Sequence, residues 1–167
     1  MRNALVIVLA LSVGCREPAP SEATEAGRVL AAIQRDGADS VAHRMDRDDP
    51  FGERVLAGIS SGDSTWLNVA VALRPTSAAD IAESLPITVA EALPKAPDRV
   101  LALIDAGKFS PEEVCTIPFI EPSDSLVAAY YAQTVGALSH VARADLAGTR
   151  DRCKAALEQA HRRAPAV

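Results

Sequence analysis

Apolar residues recur at spacings of three and four from about Ser21 to the C-terminal end, as in Ala26, Val29, Leu30 and Ile33, and no long stretch of strict alternation competes with them. That periodicity commits the chain to helices that each bury one face. Aromatic residues are only 4% of the 167, while alanine is frequent, so the core has to be built from small and aliphatic side chains at close spacing. Such a composition suits helices rather than strands. The expected fold is all-α, an irregular helical bundle of stacked antiparallel hairpins in a single domain.

Punctuation along the chain divides the bundle. The segment "SEATEAGRVLAAIQRDG" predicts a helix that stops at Gly37, and a short helical piece follows around Val41. In "DRDDPFGERVLAGISSG" Asp49 is the expected N-cap with Pro50 at the first helical position. "GDSTWLNVAVALRP" carries Trp66, Val69, Ala70 and Leu73 on one stripe. Farther on, Ser77 and Asp80 have the spacing of a capping box, and Ile81, Leu85, Val89 and Leu93 keep one register across Pro86, which predicts a single kinked helix. "APDRVLALIDAG" starts at Pro97 and stops at Gly107, and "SPEEVC" pairs Ser110 with Glu113 around Pro111 as a capping box. Two longer helices are expected over 124–141 and 145–162. The first buries Leu126, Val127, Tyr130, Val135 and Leu138, and the second Leu146, Cys153, Ala156, Leu157 and Ala160.

The formal net charge of −5 argues against a nucleic-acid partner, which requires a basic face to displace counterions from phosphates. Arginines do cluster near the C-terminus, among them Arg143, Arg150, Arg152, Arg162 and Arg163, and read as a solvated face with cations toward a helix end.

At the N-terminus, Arg2 precedes an apolar run, Ala4 to Leu11, that is too short to span a bilayer, which takes about 20 apolar residues, and has the length of a signal-peptide core. The residues "LSVGC" that close it resemble a bacterial lipoprotein signal, the lipobox. That resemblance implies a signal peptide over 1–14, a lipidated Cys15 as the first residue of the mature chain and a membrane anchor that is in effect permanent. An ordinary signal peptide with a cysteine near its cleavage point is the alternative. Residues 15–24, with Pro18 and Pro20, read as a tether, 25–163 as the helical domain and 164–167 as a tail. Arg16, where the family pattern uses Asp for retention in the inner membrane, implies the periplasmic face of the outer membrane. The three cysteines then leave Cys115 and Cys153 as a pair in an oxidising compartment, and a disulfide between them contributes about 4 kcal/mol on the chain-entropy estimate. Two free buried thiols are the alternative.

Catalytic patterns are thin. "GDST", Gly62 to Thr65, resembles the GDS block of the SGNH hydrolases, but none of His43, His140 and His161 follows an aspartate by three residues as that family's base does. Asp46 and Asp48 have the first spacing of a calcium loop, and Pro50 and Phe51 then stand where further ligands and the turn glycine belong. The three histidines are far apart and neither remaining cysteine has ligand neighbours at short spacing, so no cofactor or metal is expected.

Two segments are unusual for plain connectors and are the expected partner-binding residues: Asp46, Asp48, Asp49 and Phe51 in "DRDDPFGER", and Pro118, Phe119, Ile120 and Glu121 in "CTIPFIEPSD". Prolines and a nearby bridge would reduce the entropy lost when the second segment binds. The "EVC…PF" segment and the later "RDRC" resemble small helical exported proteins of proteobacteria, and compact, acidic, disulfide-stapled domains of this kind include immunity proteins. The expectation is a non-enzymatic, lipid-anchored, protein-binding module, an immunity or inhibitor protein against an envelope toxin such as a peptidoglycan hydrolase. An envelope-assembly or scaffold lipoprotein is the alternative from another class, and a small GDS-type hydrolase a distant third.

Overall fold

A computed structural model describes residues 24–163. The expected signal peptide over 1–14, the expected lipidation site Cys15, nearly all of the expected tether and the 164–167 tail lie outside the described residues. The described residues form nine α-helices and no strand, in an all-α bundle whose consecutive members mostly pack on each other. In order they are α1 (Glu25–Asp36), α2 (Ala38–Arg47), α3 (Asp49–Ser60), α4 (Ser64–Leu73), α5 (Ala79–Ala92), α6 (Pro97–Asp105), α7 (Pro111–Val114), α8 (Asp124–Ser139) and, after a 3-10 turn at Ala144–Leu146, α9 (Ala147–Arg163).

Helix α1 lies on α2 and α4, α3 on α4 and α5, and α7 bridges α5 to α9, which α6 and α8 also flank. The core is a layer of Val, Leu, Ile and Ala, with Val55, Ile59, Leu73, Leu85, Val89, Leu93, Leu101, Leu138 and Leu157 all sealed from solvent. Small side chains let the axes approach. At Gly52 of α3 an added Cβ would stand 2.6 Å from the Met45 carbonyl oxygen of α2, and at Gly58 it would strike the Trp66 ring of α4. Both contacts need a residue without a side chain.

Local signals set most boundaries. Gly37, at φ 86°, ends α1, and Gly107, at φ 65°, follows α6. Asp63 caps α4 by accepting from Thr65 N and Trp66 N at 2.9 and 3.2 Å. The Ser110–Glu113 capping box forms in both directions, and α5 runs through Pro86 as one helix with Ile81, Leu85 and Val89 buried.

Four expectations change. The cap of α3 is Asp48, whose carboxylate accepts from Phe51 N at 3.3 Å, and Asp49 is already helical, because Asp48 is the residue that turns the chain out of α2. The piece around Val41 is a full helix of 10 residues. Ser77 and Asp80 form no capping box. Asp39 of α2 takes Ser77 instead, its Oδ1 accepting from Ser77 N at 2.6 Å, Thr76 Oγ1 at 2.9 Å and Ser77 Oγ at 3.1 Å. Leu126 stays 43% exposed while Val127 beside it is buried, because the inward face of α8 runs through Val127, Tyr130, Thr134 and Leu138 and leaves Leu126 to one side.

A second long-range tie joins α4 to α7. Arg74 Nη2 donates to both oxygens of Glu113 at 3.0 and 3.2 Å, and its guanidinium lies 4.6 Å over the Phe109 ring. Burial pushes the Glu113 carboxyl up, but the Ser110 N–H and the Arg74 guanidinium together hold it below its ordinary value. The Ser77 N–H, with the Thr76 and Ser77 hydroxyls, does the same to Asp39. A carboxyl with a lowered folded pKa contributes stability that is complete above the unfolded value, about 4, and is lost as pH falls through the folded one. Urea midpoints should therefore decline below about pH 4, and Glu113→Gln or Asp39→Asn should flatten that decline. Gly52→Ala should lower stability by about 1–3 kcal/mol in urea unfolding, despite the better helix propensity of alanine.

Candidate functional site

The segment between α7 and α8 is an irregular stretch tied down at several points. At its root the Cys115–Cys153 disulfide joins the end of α7 to α9, with the two Cα atoms 5.3 Å apart and both cysteines buried. From there Pro118 turns inward and is buried, while Ile117 and Phe119 pack half-buried against the core. The Phe119 ring meets the Tyr130 ring of α8 edge to face, with centroids 5.4 Å apart. Tyr130 is itself fixed, since its hydroxyl donates to the Ala90 carbonyl of α5 at 2.7 Å. Burial pushes its phenol far above the ordinary range, so this donor keeps its proton.

Beyond this anchor the loop presents two side chains to solvent. Ile120 is 90% exposed, the most exposed large apolar side chain among the described residues. Glu121 next to it is exposed and adopts a left-handed conformation, φ 48°, the one positive φ outside glycine among the described residues. Pro122 follows, and Ser123 then caps α8 by accepting from Leu126 N at 3.4 Å. Beside the loop lies a mainly apolar cleft of ≈ 230 Å³ walled by Phe119, Tyr130 and Gln133 on one side and Glu91, Pro94 and Lys95 on the other. Lys95 Nζ is held away by the Ser60 carbonyl at 2.7 Å. Chemically this is a rigid apolar projection beside an apolar slot, with the Glu91 carboxylate at the slot's rim and Glu121 next to the projection. It offers contact surface rather than a reacting group.

The acidic segment is arranged differently. Asp46, Asp48 and Asp49 are exposed at the α2–α3 corner, but Phe51 is only 6% exposed and lies beneath the Arg44 guanidinium, 4.2 Å from its ring centroid. Phe51 therefore packs mostly into the core from the first turn of α3, against Arg44 of α2, and leaves only an edge at the cleft between α1 and α3. Asp46 lines a shallow cleft with His43 and the first residues of α5, whereas Phe119 lines one at the last residues of α5. The two predicted contact segments thus sit at opposite ends of α5 and make no common surface.

The residues weighed for catalysis are dispersed. Ser64 opens α4 behind its Asp63 cap, His140 Nδ1 contacts the Gly136 carbonyl, and His161 stacks on Tyr131. Among the described residues no group of three His, Cys, Asp or Glu side chains is placed to hold a metal ion, and no helix is long and apolar enough to cross a membrane. Comparison of the chain with protein-family models, with curated proteins and with solved structures finds no match.

The disulfide is the loop's foundation. Cys153→Ser should cost about 2–4 kcal/mol in denaturant unfolding and should speed amide exchange at Phe119, Ile120 and Glu121 ahead of the amides of α3 and α5.

Proposed function

We propose that the chain is a lipid-anchored exported protein, held through Cys15 on the periplasmic face of the outer membrane, and that its task is to bind another protein through the 118–121 loop. The partner in this reading is an envelope toxin such as a peptidoglycan hydrolase, which the bound loop neutralises. The observation that carries the reading is Ile120, 90% exposed on a loop whose neighbours are fixed by a disulfide, a buried proline and an aromatic pair. A lone exposed isoleucine on a mobile loop would be ordinary. One held in place loses little entropy when it enters a partner's pocket, which is how a small contact gives useful affinity.

Anchoring complements this role. A protein fixed at the membrane meets an incoming toxin in a thin layer rather than throughout the compartment, so its effective concentration is raised without further contacts. The N-terminal resemblance to a lipobox supports the anchor, and mass spectrometry of the mature protein checks it directly. An unlipidated Cys15 would refute the anchor while leaving the loop's role standing.

The loop's role is tested in cells. Deletion should sensitise cells to attack by otherwise isogenic rivals, wild-type protein should restore resistance, and Ile120→Asp should fail to restore it. At so exposed a position the substitution should change stability by no more than about 0.5 kcal/mol, and it should weaken capture of the toxin by roughly tenfold or more. A deletion strain that resists attack as before but leaks periplasmic enzymes would assign the protein to envelope assembly instead.

A further inference from the structure

We infer that the slot beside the 118–121 loop belongs to a groove between α5 and α8 that takes a cationic amphipathic segment of the partner, apolar side chains flanked by lysine or arginine. This names the chemistry of the partner proposed above and rests on that proposal. Three large apolar side chains stand exposed among the described residues, Ile120 at 90%, Leu126 at 43% and Ile87 at 40%, and all three flank the slot. Ile120 adjoins Phe119, which lines it. Leu126 lies one turn before Tyr130 on α8, and Ile87 one turn before Glu91 on α5, so each shares a helix flank with a residue of the lining. Exposed apolar residues scattered singly need no explanation, whereas three gathered about one apolar slot mark a place where a partner removes them from water.

The parts of the groove are fixed before anything binds. Tyr130 is tied to the Ala90 carbonyl of α5 at 2.7 Å, Phe119 stands edge to face on it, and the disulfide holds the start of the loop. Little conformational freedom is left for a ligand to freeze.

Charge decides what the occupant is. Glu83 and Glu91 stand one turn to either side of Ile87, and Glu121 follows Ile120. None of these three carboxylates is in an ion pair among the described residues. The lysine of the lining, Lys95, is turned to the Ser60 carbonyl, and the chain as a whole carries a formal charge of −5. Apolar contact then supplies most of the affinity, while the unpaired carboxylates select a cationic flank and speed its approach. A second copy docked across a two-fold axis would set the same carboxylates against each other. An anionic lipid surface would meet them with its own charge. A basic segment with an apolar face satisfies both sets of residues.

The full chain in phosphatidylcholine nanodiscs, with empty discs as the blank, serves as the sample, so that its apolar N-terminus is accommodated whatever its processing. A leucine–lysine amphipathic peptide should shift the side-chain methyl resonances of Ile87, Ile120 and Leu126 saturably, and its binding should weaken a few-fold as salt is raised to about 0.5 M. The matching leucine–glutamate and serine–lysine peptides should leave those methyls where they are. Leu126→Ser or Ile87→Ser should weaken binding about tenfold, and Glu91→Gln combined with Glu121→Gln should weaken it and flatten the salt dependence. Asp46→Asn, at the other end of α5, should change nothing. Equal binding of the leucine–glutamate peptide would overturn the cationic partner, and equal binding of the serine–lysine peptide, or an undiminished response in the serine variants, would overturn the groove. Methyl shifts that follow protein concentration without peptide would give the groove to a second copy, and shifts on replacing phosphatidylcholine by phosphatidylglycerol would give it to the membrane. Either result overturns the inference. If the peptide fails to bind while Ile120→Asp still abolishes protection, this inference alone falls. If the peptide binds while the deletion strain keeps its resistance, the toxin falls and the groove stands.

Discussion

Helix α5 is packed by α2, α3, α4, α6 and α7 and is hydrogen-bonded by Tyr130 of α8, and the remaining structure is arranged by what that burial demands. A helix so surrounded has to present small or aliphatic residues on most of its circumference, and Leu85, Thr88, Val89, Ala90 and Ala92 do so. Pro86 costs the helix one backbone hydrogen bond. In compensation, the tertiary contacts along the stripe from Ile81 to Val89 hold both halves in one register. Packing of this kind, more than the propensity of any one segment, is what keeps the short helices α2, α6 and α7 folded, since isolated helices of their length are marginal in water.

How far the sequence was readable depended on how far apart the interacting residues lie. Ser110 and Glu113 answer each other within one turn, and the predicted box is present. Ser77 and Asp80 show the same spacing, yet Ser77 is held by Asp39, 38 residues away in the chain. No local pattern announces such a partner. The same holds for the Arg74–Glu113 tie, 39 residues apart, and for Tyr130 on the Ala90 carbonyl, 40 apart. Apolar periodicity placed the core correctly along α1 and α5, but it overstated it at Leu126, because the inward face of α8 is centred on Val127, Tyr130, Thr134 and Leu138, and a bulky apolar residue at the edge of that face looks the same in the sequence as one inside it. The bonded pair of Cys115 and Cys153 followed from the cysteine count. The exposure of Ile120 did not, since the flanking prolines are equally compatible with a loop folded over the core.

The molecule's two notable surfaces differ in physical character. At the C-terminal end of α5 an apolar projection and slot are rimmed by Glu91 and Glu121, and contacts there would be governed by shape and desolvation. Between α1 and α3 the cleft is lined by Arg28, Arg44 and Arg54 together with Glu25, Val29, Ala32 and Phe51, and polar contacts there would weaken with salt. The acidic string that drew attention in the sequence turns out to contribute to the second surface indirectly. Asp48 caps α3 and so sets the helix that carries Phe51 beneath Arg44.

The glycine at position 58 has an optical consequence. Trp66, the chain's single tryptophan, rests against the bare backbone of Gly58, so the indole belongs to the α3–α4 contact. Intrinsic fluorescence is therefore a local reporter of one half of the bundle. A difference between tryptophan emission and circular dichroism on unfolding would therefore show whether the α3–α4 contact opens together with the rest of the bundle.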